Sequence, residues 1–151
     1  MNEPKPDDLL SLDRQLCFPL YAASRLVTRL YQPLLEPLGL TYPQYIVLMI
    51  LWEESPCSVS RIGERALLAS NTLTPLLKRL ELQGLVLRSR AAHDERVVTI
   101  ELTEAGRALR GDCACVPVKL FDQIGYPVDE ALRLKEHLDA LLARLMTIAQ
   151  P

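Results

Sequence analysis

Two β-prone runs, "LVLRSR" at 85–90 and "RVVTIEL" at 96–102, constrain this chain most, because every other periodic segment in it is helical. They flank the polar "AAHDE", a pattern that predicts a hairpin with a charged tip. Just before it the spacing predicts a short helix over about 59–67 and another over about 71–83, with "LLAS" between them. Gly84 closes the second helix as the glycine after its C-cap. Two short helices and a two-stranded wing make a winged helix-turn-helix. The fold class is therefore mainly α with a small β-hairpin wing.

This unit sits inside a longer helical frame. Residues 1–8 read as a frayed arm, and a first helical region is expected over about 9–37. Leu16, Leu20, Val27, Leu30 and Leu34 form one stripe at three- and four-residue spacing; Cys17, Tyr21, Ser24, Thr28 and Tyr31 run beside it. The next helix opens on a capping box of Thr41 and Gln44, with Leu40 and Tyr45 as a hydrophobic staple. Pro43 falls in its first turn, where the missing N–H costs nothing. Its "YIVLMILW" is apolar all round, which makes the helix central, and "SPCS" at 55–58 ends it. Thr103 caps a helix expected to reach about 121, and "GYP" separates it from a last one over about 129–149. There Leu134, Leu138, Leu141, Leu145 and Ile148 keep an a/d rhythm. The end helices are more apolar than so small a core needs. They are expected to dimerise the chain, read as one domain over 1–151 with a winged core at about 41–102 between dimerisation helices at about 9–37 and 103–149.

Length and composition exclude other classes. At 151 residues with 49% hydrophobic content, one domain with a real core is expected. The longest apolar run, Tyr45 to Trp52, is far short of a membrane span. "MNEPKPDDLL" is acidic and proline-bearing, unlike a secretory signal, so the chain is expected in the cytoplasm. Cys17, Cys57, Cys113 and Cys115 should then be thiols. Cys113-Ala-Cys115 lacks the spacing and company of a metal site, so no metal or other cofactor is expected.

Net charge is −2, which alone argues against binding a polyanion. Its distribution argues for it. Residues 61–96 carry seven basic side chains against four acidic, or +3, leaving −5 for the remainder. The second helix of the pair, opening "SNTLTPLLKRLE", would read the major groove with Ser70, Asn71, Thr72 and Thr74, with Lys78 and Arg79 farther along. Leu73, Leu76, Leu77 and Leu80 would face the core. Arg88, Arg90 and Arg96 flank a wing tip able to reach a phosphate backbone or a narrow minor groove. Asp94 reads as a structural brace for a wing arginine, and His93 as exposed. Double-stranded DNA with a pseudo-palindromic operator, bound by a homodimer, is the expected partner.

Four motifs carry a resemblance: "LTYPQYIVLMILWE", "TLTPLLKRLE" with "QGL", "DERVVTIELTEAGRAL" and "LDRQLCFPLY". Together they resemble the MarR family of dimeric winged-helix regulators, and within it the OhrR branch, which represses DNA until an organic hydroperoxide oxidises a cysteine. The likeness is good over about residues 9–117 and loose beyond. It implies that Cys17 is the sensing thiol and that Tyr31 and Tyr42 supply phenols that hydrogen-bond it from the partner subunit. Cys17 and Tyr31 are fourteen residues apart, about 21 Å along a continuous helix, so they share a site only between two chains. Tyr21 is one turn from Cys17 and could help within the chain. Three departures stand out: Pro19 in place of a helix former, "LASN" with no acidic residue at Ala69, and Asp122 where part of the branch carries a resolving cysteine.

Pro19 bears on Cys17 directly. It lacks an N–H and clashes with the carbonyl of Gln15, so the helix should kink or restart there. Cys17 would then lie at a helix N-terminus, where partial positive charge favours an anion, with Arg14 close by. Without a resolving cysteine, oxidised Cys17 is expected to pair with a small cellular thiol, although "DCACVP" could deliver Cys113 or Cys115. Two other readings stay open. One is a MarR-type repressor released by a bound aromatic molecule; the other is a thiol peroxidase, for which no recycling route or peroxide-assisting Arg or Glu is evident.

Overall fold

The computed structural model describes residues 10–149, so the arm expected over residues 1–8 lies outside the described residues. The chain divides into two compact units, residues 1–116 and 117–151.

The first helical region is not one helix from residue 9. Leu12–Arg14 makes a single 3-10 turn, Gln15 is extended, and α1 runs Cys17–Leu35. Pro19 explains the break. It is tolerated in the first turn, where its absent donor has no carbonyl to serve, but a helix continuous from residue 9 would drive its ring into the Gln15 carbonyl. A 3-10 turn, Glu36–Leu38, ends the arm at Gly39, whose φ of +69° lets its N–H reach the Glu36 carbonyl and the Leu40 N–H the Leu35 carbonyl.

Helix α2, Tyr42–Glu54, starts on the expected capping box: Thr41 accepts from the Gln44 N–H, and the Gln44 side chain accepts from the Thr41 N–H at 2.9 Å. Val47, Leu48 and Leu51 are completely buried, while Ile46, Met49 and Trp52 are half-buried against the same core. Around it lie α3, Val59–Ala66, capped by Ser58, and α4, Ser70–Leu82. Gly84 ends α4 with φ +73°; its N–H reaches the Glu81 carbonyl at 2.9 Å, and the Leu85 N–H the Leu80 carbonyl at 3.0 Å. Leu73, Leu76, Leu77 and Leu80 are buried, as their spacing predicts.

The sheet has a third strand. β1, Cys57–Ser58, β2, Val86–Ala91, and β3, Asp94–Leu102, lie antiparallel in the order β1-β3-β2. Two residues leave no periodicity to read, so β1 is invisible in sequence. The wing tip is also tighter than "AAHDE" suggests: Ala91 pairs with Asp94, leaving Ala92 and His93 to turn. The register shifts between Arg90, which pairs with Val98, and Ala91, so β3 bulges around Arg96.

The helix expected from Thr103 to about 121 is two. α5 is Glu104–Cys113 and α6 is Val116–Ile124. Pro117 divides them, since it cannot donate to the Cys113 carbonyl and would clash with it. In the second unit Gly125, at φ +62°, separates α6 from α7, Val128–Ile148. No residue of α7 is buried; Leu138 and Leu145 are 39% and 50% exposed. No single helix among the described residues is long and apolar enough to cross a membrane.

Candidate nucleic-acid interface and thiol–phenol site

The exposed end of α4 carries Ser70, Asn71 and Thr72, with Thr74 half-buried behind them. The four buried leucines fix the opposite face of the helix, so these short polar side chains are held outward. The N-cap is Ala69, which makes no side-chain cap bond and leaves the first N–H groups of α4 open to an acceptor such as a phosphate. Lys78 and Arg79 are exposed one and a half turns on.

On the wing, Arg90, Arg96 and His93 are exposed and Arg88 is half-buried. The Arg88 Nε is buried without a hydrogen-bond partner. Leaving such a donor unsatisfied costs about 1–3 kcal/mol. Asp94 acts as a brace, but through the backbone: its Oδ1 accepts from the Arg96 N–H at 3.0 Å and holds the turn that presents Arg96.

The basic island is smaller than its count. Arg61 makes two bonds to Glu54, at 3.0 and 3.2 Å, and Arg65 reaches Glu53 at 2.8 Å and Glu54 at 2.7 Å. These guanidinium groups, Arg61 foremost, hold the Glu54 carboxyl below its usual range. A window opening at residue 61 omits both carboxylates, which the end of α2 supplies. Lys78, Arg79, Arg88, Arg90 and Arg96 have no ion-pair partner among the described residues.

The second group of residues lies at α1 and the start of α2. Cys17 is exposed at the first position of α1. Tyr31 stacks on Tyr42 with ring centroids 4.4 Å apart, and Tyr45 packs 5.9 Å from Tyr31. Burial, with Tyr42 and Tyr45 adding to it, pushes the Tyr31 phenol up to about 12, so it remains a donor at any physiological pH. Burial raises Tyr42 and Tyr45 too. α1 is continuous from Cys17 to Leu35, so the thiol and the Tyr31 phenol stand about 21 Å apart along one helix. Tyr21 is differently engaged from the sequence expectation: its hydroxyl accepts from Arg25 at 2.8 Å, and that guanidinium lies 5.4 Å from its ring centroid.

Cys57 and Cys113 are buried, and burial, the largest cause, raises both thiols; Cys115 is exposed between α5 and α6. Asp122 is exposed on α6. No group of His, Cys, Asp or Glu able to hold a metal occurs among the described residues. Two features escaped sequence reasoning. Tyr45 joins the phenol cluster, which its three-residue spacing from Tyr42 signals. The buried Gln44 side chain donates to Gln83 at 3.3 Å, and Gln83 donates to the Gly39 carbonyl at 2.7 Å; nothing in the sequence signals that network.

Comparison with known proteins decides the family. A family model described as transcriptional regulator SarA/Rot matches residues 29–112. The HTH-type transcriptional regulator TtmR of Methylorubrum extorquens is 48% identical over 93% of this chain and 72% of its own length. The organic hydroperoxide resistance transcriptional regulator of Bacillus subtilis is 44% identical over 91% of this chain and 94% of its own. This chain belongs to the MarR/OhrR-type transcriptional regulators. Among solved structures, reduced AbfR bound to DNA superposes with a TM-score of 0.75 at 39% identity, covering 89% of this chain and 96% of AbfR. A disulfide-formed AbfR superposes at 0.60, with 38% identity over 90% and 96% of the two chains. A MarR/OhrR-type regulator binds operator DNA and is not an enzyme, which removes the thiol-peroxidase reading.

Proposed function

We propose that this regulator binds a pseudo-palindromic operator as a homodimer and releases it when an organic hydroperoxide oxidises Cys17. One observation carries the reading: an exposed thiol opens the continuous helix α1, and a half-buried stack of Tyr31 on Tyr42 lies near its other end. Two such helices running antiparallel bring each Cys17 beside its partner's Tyr31 and Tyr42. The phenols donate to the thiolate and hold it for attack. The thiolate sulfur attacks one peroxide oxygen, the O–O bond breaks, and the alkoxide leaves as alcohol after taking a proton. The resulting sulfenic acid condenses with a low-molecular-weight thiol, forming an S–S bond and releasing water. In the reduced state Ser70, Asn71 and Thr72 read base edges, Thr74 stands behind them, and Lys78, Arg79 and the wing arginines engage the backbone. The winged core at 41–102 carries these contacts, and the helices on either side of it dimerise the chain.

A second reading has an observation of its own. A cleft of about 450 Å³, lined by Thr28, Gln32, Leu40, Thr41, Tyr42 and Pro43 among others, would admit an aromatic effector. A gel-shift with and without an organic hydroperoxide, on wild type and Cys17→Ser, separates the two. Cys17→Ser is expected to bind DNA and ignore the oxidant. An unchanged response in Cys17→Ser removes the thiol sensor and leaves the bound-effector reading.

A further inference from the structure

We propose that Gln83 is a strut between the Tyr31–Tyr42 stack and the reading helix α4, so that displacement of the phenols by an oxidised Cys17 tilts α4 and releases DNA. The proposal rests on the reading of the chain as a thiol-sensing regulator. Gln83 is the C-cap of α4. Its amide nitrogen donates to the Gly39 carbonyl at 2.7 Å, and its amide oxygen accepts from the Gln44 amide nitrogen at 3.3 Å. Gln44 in turn holds the start of α2. Its side-chain oxygen accepts from the Thr41 N–H at 2.9 Å and from the Thr41 hydroxyl at 3.2 Å. Tyr42 lies between these two residues and stacks on Tyr31 at 4.4 Å. Both bonds of Gln83 therefore end on the segment 39–44, which carries one of the two stacked phenols.

Two observations make this a coupling element and not a local brace. Gln44 is 5% exposed and is the one amide or charged side chain among the described buried residues. A buried amide costs stability unless its hydrogen bonds are made, and here its oxygen serves α2 while its nitrogen reaches the cap of α4. Away from Gln83 the two elements stand apart: a groove of about 300 Å³ opens between Thr41 and Pro43 on one side and Thr72, Pro75 and Arg79 on the other. α4 thus has room to move against the start of α2. Among the described residues no other side-chain hydrogen bond joins segment 39–44 to α4 or its cap. Tyr42 heads α2, so a shift of its ring carries Thr41 and Gln44 with it and reaches α4 through Gln83. Ser70 stands about 18 Å along α4 from Leu82, so a small tilt at the cap displaces the residues that face the bases.

Reduced and oxidised full-length protein, as wild type and Gln83→Leu, are titrated with a duplex selected by the reduced wild type. Oxidation uses one equivalent of cumene hydroperoxide with free cysteine present, and intact mass reports the adduct in each. Oxidised wild type is expected to lose affinity by a factor of about 5–150, the usual span of coupling between two sites. Gln83→Leu is expected to keep its reduced-state affinity, to take up the same adduct, and to hold its DNA when oxidised, the oxidised-to-reduced Kd ratio falling toward one. A ratio in Gln83→Leu equal to that of wild type overturns the strut and leaves the sensor standing. Weakened reduced-state binding with an unchanged ratio also overturns it, and makes Gln83 a support of α4. A wild type that takes the adduct and keeps its DNA overturns the sensor reading, and the strut with it. Should Gln83→Leu melt far below wild type, Gln83→Met, unbranched like glutamine but without its amide, is read by the same criteria.

Discussion

At the scale of the residue, chemistry separates side chains that look alike in sequence. Four cysteines differ chiefly in access. Cys57 and Cys113 are buried, whereas Cys17 and Cys115 meet solvent. Cys115→Ser and Cys113→Ala are therefore expected to keep the hydroperoxide response, with intact mass after one equivalent of oxidant reporting the adduct. A covalent dimer that vanishes with those two substitutions would sink the pairing of Cys17 with a small thiol. The tyrosines differ in the same way. Tyr31→Phe or Tyr42→Phe should leave reduced-state DNA affinity nearly intact and slow oxidative release; loss of reduced-state binding with normal release makes their role structural. Tyr31 also sets an alkaline limit. Its phenol ionises near 10.0 in the unfolded chain and at about 12 when folded, so between those values the folded state holds the extra proton. That contribution is whole below pH 10 and is lost as pH rises toward 12. Melting between pH 10 and 11 should fall less steeply in Tyr31→Phe than in wild type.

At the scale of the element, the helix α5 is set by one glycine. A Cβ at Gly106 would stand 2.1 Å from the Leu85 carbonyl oxygen and 3.1 Å from a Leu102 methyl. Thr103 reinforces that approach, since its hydroxyl donates to the Gly84 carbonyl at 2.6 Å while accepting from the Gly106 N–H at 3.0 Å. Trp52 completes it by donating to the Gly106 carbonyl at 2.9 Å. Gly106→Ala forces backbone apart and is expected to cost about 3 kcal/mol. Gly111, on the same helix, has open space where its Cβ would go. Gly111→Ala should stabilise by about 1 kcal/mol, the ordinary helix-propensity gain. Paired thermal melts check both signs, and equal effects at the two glycines would contradict the packing account.

At the scale of the whole molecule, the end helices leave apolar side chains in water. Leu26 and Leu30 on α1 are 57% and 37% exposed, and no residue of α7 is fully buried. Such exposed apolar stripes are a surface for a partner, and under the proposed function a second copy would supply the second reading helix that a pseudo-palindrome requires. Leu138→Glu combined with Leu145→Glu is expected to shift sedimentation from dimer to monomer and to abolish specific binding at nanomolar protein. A monomer that still binds its operator with wild-type affinity would contradict the dimer.

Sequence alone determined whatever depends on neighbours along the chain. The capping box at Thr41 and Gln44, the Gly84 stop, the buried leucines of α4 and the wing runs all follow from spacing, because helix and strand periods are local. Pro19 announced a helix start at Cys17 for the same reason, and Pro117 carried an equal signal that the run from Thr103 obscured. Tertiary structure decided what depends on distant partners. It paired Cys57–Ser58 with β3, matched Arg61 and Arg65 with carboxylates on α2, and joined Gln44 to Gln83 and Gly39. It also buried the Arg88 Nε without an acceptor. These outcomes rest on where two separate segments meet in space, and a charge or a donor in sequence carries no mark of which partner will reach it.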